Sequence, residues 1–66
     1  MEKVILKHDT VKHLNGVRVE LQSRYMSRFN RRMYRYKIDE LPMSPYITLD
    51  KLNGYLKQYG IRVATR

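Results

Sequence analysis

Asn15-Gly16 lies between Val11-Lys12-His13-Leu14 and Val17-Arg18-Val19-Glu20, and this dipeptide supplies the two positive-φ positions of a type I′ turn. It constrains the chain more tightly than any other local signal, because such a turn sets both a hairpin and its register. Leu14 then faces Val17, Lys12 faces Val19 and Thr10 faces Leu21; continued outward, the same register sets Leu6 beside Tyr25. From 17 to 25 the alternation is regular, with Val17, Val19, Leu21, Ser23 and Tyr25 on one side and Arg18, Glu20, Gln22 and Arg24 on the other.

A polar stretch, Ser27-Arg28-Phe29-Asn30-Arg31-Arg32, separates that strand from Met33-Tyr34-Arg35-Tyr36-Lys37-Ile38, which alternates again. Placing Tyr25 opposite Tyr34 brings Leu21 to Ile38 and makes the apolar faces coincide. The same register aligns Arg24 with Arg35 and Gln22 with Lys37 and leaves Glu20 near Asp39. Like charges across a ladder destabilise it unless an anion compensates, so this pairing hints at an anionic ligand. A helix over residues 17–36 competes, since Val17, Leu21, Tyr25, Phe29, Met33 and Tyr36 also form a helical stripe with Arg24, Arg28, Arg31 and Arg35 on another. Strands are preferred: Asn-Gly demands a hairpin, Val17 and Val19 are β-branched, and no convincing N-cap precedes the helical alternative.

Residues 39–46, with Pro42 and Pro45, break both helix and ladder and read as a loop. Thr48 is placed as a helix N-cap. Leu49, Leu52, Tyr55, Leu56 and Tyr59 form the stripe behind it, and Gly60 stands ready as the left-handed C-terminal residue. Ile61-Arg62-Val63 reads as a short final strand. The expected fold is α+β: a three-stranded antiparallel meander covered by one C-terminal helix, in a single basic domain spanning residues 1–66. The strand-strand-strand-helix order resembles small DNA-binding domains that insert a sheet face into the major groove, such as the arm-binding domains of phage-type integrases. That resemblance is one of topology, and it implies duplex DNA as a ligand.

The chain has 66 residues, and at this size folding buries only about 60% of the surface the unfolded chain exposes. A deep catalytic pocket is therefore not expected. With no cysteine there is no disulfide framework, thiolate zinc site or cysteine nucleophile, and two histidines cannot close a metal site. The longest apolar run is Val4-Ile5-Leu6, far short of the roughly 18 residues of a membrane span. An intracellular protein, cytoplasmic or nucleoid-associated, is expected, without cofactor, metal or membrane partner. A hydrophobic content of 42% with seven aromatics separates it from disordered basic tails.

Charge is concentrated rather than spread. Of the formal +8, residues 18–37 hold +6: Arg18, Arg24, Arg28, Arg31, Arg32, Arg35 and Lys37 against Glu20 alone. Arg is favoured six to one there, and its planar fork suits phosphates and bases where Lys would serve solubility equally well. Tyr25, Phe29, Tyr34 and Tyr36 are interleaved, although burial of aromatic area is the ordinary use of Tyr25, Tyr34 and Tyr36. Cations for phosphates beside rings for sugars and bases form the composition of a nucleic-acid surface. The expected site is Arg24, Arg35 and Lys37 on the exposed sheet face, Arg28, Arg31 and Arg32 gripping phosphates from the loop, and Phe29 or Asn30 at its tip meeting a base edge or sugar.

The expected function is non-enzymatic binding of nucleic acid, duplex DNA first and RNA second. The rival is a small basic regulator or inhibitor docking on an acidic protein surface, since Arg and Tyr are also favoured at protein interfaces. His8 and His13 beside Lys7 or Lys12 could cleave RNA without a metal, but two exposed strand or turn histidines are the ordinary reading. Asp39 and Glu40 are adjacent and point to different sides of an extended chain, so no metal-binding acid cluster emerges. Pro42-Met43-Ser44-Pro45 has PxxP spacing without polyproline flanks and reads as loop, and the three isolated glycines form no phosphate loop. An uncapped edge strand also makes a homodimer conceivable.

Overall fold

A computed structural model describes residues 1–65. Strands β1 (Glu2–Leu6), β2 (Thr10–Leu14), β3 (Val17–Met26) and β4 (Arg31–Ile38) come first, then helix α1 (Leu49–Leu56), a 3₁₀ turn at Lys57–Tyr59 and strand β5 (Ile61–Thr65). The expected α+β class holds, and residues 17–36 are strands rather than a helix. β2, β3 and β4 form the antiparallel meander, while β5 pairs in parallel with β1 in a second, two-stranded sheet. The outward extension of the first hairpin is thereby corrected. Leu6 does not pair with Tyr25 but with Thr65, because the chain bends at Lys7-His8 and Asp9 Oδ1 accepts the Ser23 N–H (3.1 Å) where the ladder would otherwise continue.

The Asn-Gly hairpin forms in the expected register, with Asn15 at φ 51° and Gly16 at φ 83°. Asn15 does more than turn the chain. Its Nδ2 donates to the carbonyls of Tyr59 (2.9 Å) and Gly60 (3.2 Å), tying the hairpin to the chain that enters β5. Gly60 at φ 71° takes the expected left-handed position there, ending the 3₁₀ turn, and Thr48 Oγ1 caps α1 by accepting the Lys51 N–H.

The β3–β4 register differs from expectation by two residues. Ser27–Asn30 close a four-residue turn, with Phe29 N–H donating to Met26 O and Asn30 N–H to Ser27 O, so Arg31 and Arg32 belong to β4 and not to the loop. Asn30 at φ 52° supplies the left-handed residue that closes the turn, a conformation Asn tolerates better than most residues. A shift of two preserves faces and changes every partner. Gln22 faces Arg35, Glu20 faces Lys37, Arg24 faces Met33 and Val19 faces Ile38. Like charges are therefore not opposed across the ladder, and the hint of an anion drawn from such a clash does not stand. Asp39 stands across from Arg18 rather than Glu20: it exchanges hydrogen bonds with the backbone of Arg18, whose guanidinium pairs with Glu20 at 3.0 Å.

One core joins both sheets and the helix. Val4 and Leu6 from β1, Val19 and Leu21 from β3, Tyr34 and Ile38 from β4, Leu52 and Leu56 from α1, and Ile61 and Val63 from β5 are buried together. Two of the sheet edges are closed by other means. Residues 44–47 run back along β4, with Ser44 N–H donating to Tyr36 O and Tyr34 and Ile47 exchanging both backbone bonds. On β5, Asn53 of α1 acts as a strand in miniature: its Nδ2 donates to Val63 O (2.9 Å) and its Oδ1 accepts Val63 N–H (2.7 Å).

Candidate nucleic-acid interface

β3 and β4 are longer than the core they cover. The last buried residues of the inner face are Leu21 and Tyr34; beyond them the inner-face residues Ser23, Tyr25 and Arg32 are exposed or half-buried. Residues 24–32 thus form a two-stranded arm. At about 3.3 Å per residue, the ten residues of β3 span roughly 33 Å, which accounts for the 35 Å long axis of the molecule. The radius of gyration, 11.2 Å, slightly exceeds the about 10.8 Å expected of a compact chain of this length.

Strand alternation distributes the arm's charges over two faces. Arg24 and Arg31 share the outer face with Arg35 and Lys37, whereas Arg32 lies on the inner face opposite Tyr25. Arg28 belongs to the turn, its guanidinium 5.6 Å from the centroid of the Phe29 ring, a cation–π contact at an exposed site. Tyr25 is 55% exposed and Phe29 is 48% exposed. No Asp or Glu occurs between residues 21 and 38, so the arm's field is uniformly positive.

Several expected site residues have other employment. Arg35 Nε donates to Gln22 Oε1 (2.7 Å) and its guanidinium sits 4.7 Å from the Tyr46 ring, which immobilises it against the loop. Lys37 is half-buried and stands opposite Glu20, whose carboxylate pairs with Arg18. Asn30 is not open to a base edge through its carbonyl, because Oδ1 accepts the Tyr25 hydroxyl at 2.7 Å. That bond instead stiffens the arm's tip. The residues of the stretch most open to a ligand are the exposed Arg24, Arg28, Arg31 and Arg32 with Phe29 and Tyr25. Of the three tyrosines assigned mainly to burial, Tyr34 is buried, Tyr36 half-buried and Tyr25 is on the surface. Tyr36 lies 6.0 Å from Tyr55 between ring centroids, and its phenol is pushed above the usual 10.0 by burial first and by Tyr55 and Tyr59 second.

His13 lies in β2 opposite Arg18, on the outer face, and His8 in the bend before that strand. Among the described residues no three His, Asp or Glu side chains gather as a metal site, and no helix is long and apolar enough to cross a membrane.

The arm's inner root also contains residues that charge counting along 18–37 could not reveal. Lys7, from the end of β1, lines the same depression as Ser23 and Arg32. Lys7 stands there because it just precedes Asp9, whose Oδ1 accepts the Ser23 N–H, and Thr10, which pairs with Leu21.

Comparison of the chain with protein-family models, with curated proteins and with solved structures returns no match.

Proposed function

We propose that this chain is a non-enzymatic nucleic-acid-binding protein that lays its β3–β4 arm into a groove of duplex DNA. The observation that carries this reading is the arm itself: a two-stranded ribbon extending past the core, with four arginines, two exposed rings and no acidic residue. A ribbon of two strands fits the major groove of B-form DNA, about 12 Å wide. A-form RNA has a deep, narrow major groove that side chains cannot read, which places RNA second. Arg24, Arg28, Arg31 and Arg32 would neutralise phosphates, while Phe29 and Tyr25 supply apolar contact to sugars or bases. The tie between Tyr25 and Asn30 and the short turn reduce the ordering the arm must undergo on binding.

The test is fluorescence anisotropy with the triple variant Arg24→Gln, Arg28→Gln, Arg31→Gln. None of the three is buried, so the fold is retained, checked by its circular dichroism and melting. Duplex affinity at 0.1 M salt should fall at least tenfold. Retained affinity overturns the assignment. Binding to an acidic protein surface would instead survive an excess of unrelated duplex DNA.

A further inference from the structure

At the inner root of the arm, two adjoining depressions share the side chains of Lys7, Ser23 and Arg32. One, about 530 Å³, is completed by Leu6, Tyr34 and Thr65, and the other, about 440 Å³, by His8 and Asp9. We infer that this is a phosphate-binding subsite on the face of the arm opposite Arg24 and Arg31, holding a backbone phosphate of the nucleic acid. The inference rests on the nucleic-acid reading above and adds a second contact surface to it.

The chemistry suits a phosphodiester. Arg32 Nη1 contacts Ser23 Oγ at 3.3 Å, which engages one of five guanidinium N–H donors and leaves the rest of the fork for an anion. Ser23 is fixed at its backbone, its N–H held by Asp9 Oδ1, and its hydroxyl proton is free to donate. Asp9 is the single acid among the described residues that line the site, and that hydrogen bond commits one of its oxygens. Lys7 adds a second full charge and His8 a ring nitrogen. Buried Leu6 and Tyr34 form an apolar floor suited to a sugar.

The placement has a geometric consequence. Arg24 and Arg31 face one way from the ribbon while Arg32 and Lys7 face the other. A groove of duplex DNA has a phosphate wall on each side, whereas a single strand presents its phosphates to one side. A duplex groove therefore offers phosphates to both faces at once without any bending of the backbone.

Lys7→Gln and Arg32→Gln test this on the full chain, by anisotropy against labelled duplex and single-stranded DNA across a salt series. Each should lower the duplex log–log salt slope by about 0.9, equivalent to roughly eightfold in affinity at 0.1 M relative to 1 M salt. Arg32→Lys should restore part of the loss, and Arg62→Gln, which removes an exposed cation lining a different depression, should change nothing. In ¹⁵N-resolved spectra, inorganic phosphate should shift the Lys7 and Ser23 amides and the Arg32 Nε–H saturably in the wild type and not in Arg32→Gln. An unchanged duplex slope in Lys7→Gln and Arg32→Gln, with the Arg24, Arg28, Arg31 variant still impaired, overturns the subsite and leaves the arm reading standing. Saturation by free phosphate with duplex binding indifferent to both variants also overturns it, because the site would then serve a free anion. Failure of the outer-face variant to weaken binding removes the underlying reading itself.

Discussion

Asn53→Ala should cost this small domain a large share of its stability, although Asn53 touches no partner outside the chain. Its amide makes two bonds to the backbone of Val63, at 2.9 and 2.7 Å, and Val63 is 2% exposed. Alanine removes both and leaves an N–H and a C=O facing a helix with nothing to bond. A buried group stranded in this way costs about 1–3 kcal/mol. Asn53 is only half-buried, so water can partly replace the amide and the low end applies, about 1 kcal/mol for each group. Alanine returns about 0.5 kcal/mol of helix propensity within α1. The net loss is about 1.5 kcal/mol, which for a domain of this size lowers Tm by roughly 6–12 °C. Asn53→Asp sharpens the test, because it keeps the acceptor for Val63 N–H but turns an oxygen toward Val63 O. It should be at least as damaging as alanine despite its matching shape. Urea titration and thermal melting followed by circular dichroism read both variants. A loss under 0.5 kcal/mol for alanine, or wild-type stability for aspartate, would refute the claim that this side chain closes the edge of β5.

Gly54→Ala should stabilise, since a Cβ there meets nothing within 4 Å; the gain in α1 is about 1 kcal/mol, read as a higher urea midpoint, and a loss would contradict the open space. Arg35→Gln should act on stability rather than on binding, because it removes the stacking on Tyr46; a fall of about 0.5–1 kcal/mol in urea titration with an unchanged duplex salt slope is expected. Tyr36 makes stability depend on alkaline pH. Its folded pKa lies above the unfolded 10.0, so its contribution is complete below pH 10 and is lost as pH rises through the folded value. Denaturation midpoints should fall more steeply above pH 10 in the wild type than in Tyr36→Phe, and parallel curves would refute it.

Local chemistry made much of this fold legible. Asn15-Gly16 specifies a turn that few other dipeptides can form, so the β2–β3 register is readable to the residue. Thr48 and Gly60 act through their own side chain or its absence, and both sit where propensity places them. The β3–β4 turn was less legible. Ser27-Arg28-Phe29-Asn30-Arg31-Arg32 contains no glycine, and an Asn in the left-handed region decides whether the loop has four residues or six. Face assignment survived the two-residue slip because the side-chain period is two, while the cross-strand partners changed and Arg31 and Arg32 passed from the loop into β4. β1 was hidden for a different reason. Val4 and Leu6 alternate visibly, but their partner strand begins at Ile61, and nothing local joins segments so far apart in the chain. Lys7 reaches the arm's root through the first hairpin instead, where Asp9 bonds Ser23 and Thr10 pairs with Leu21. The engagement of Arg35 likewise depends on Gln22 and Tyr46, which only the observed register and loop path bring to it.

The salt dependence of duplex binding tests the central claim most directly. Four arm arginines and Lys7 neutralising one phosphate each give a log–log slope near 4.5, so raising salt from 50 to 200 mM should weaken binding roughly 500-fold. A slope between about 4 and 5, with duplex DNA bound more tightly than a single strand of equal length, is the expected result. No binding at 50 mM salt, or a slope below about 1, would show that the arginine arm does not grip a phosphate backbone.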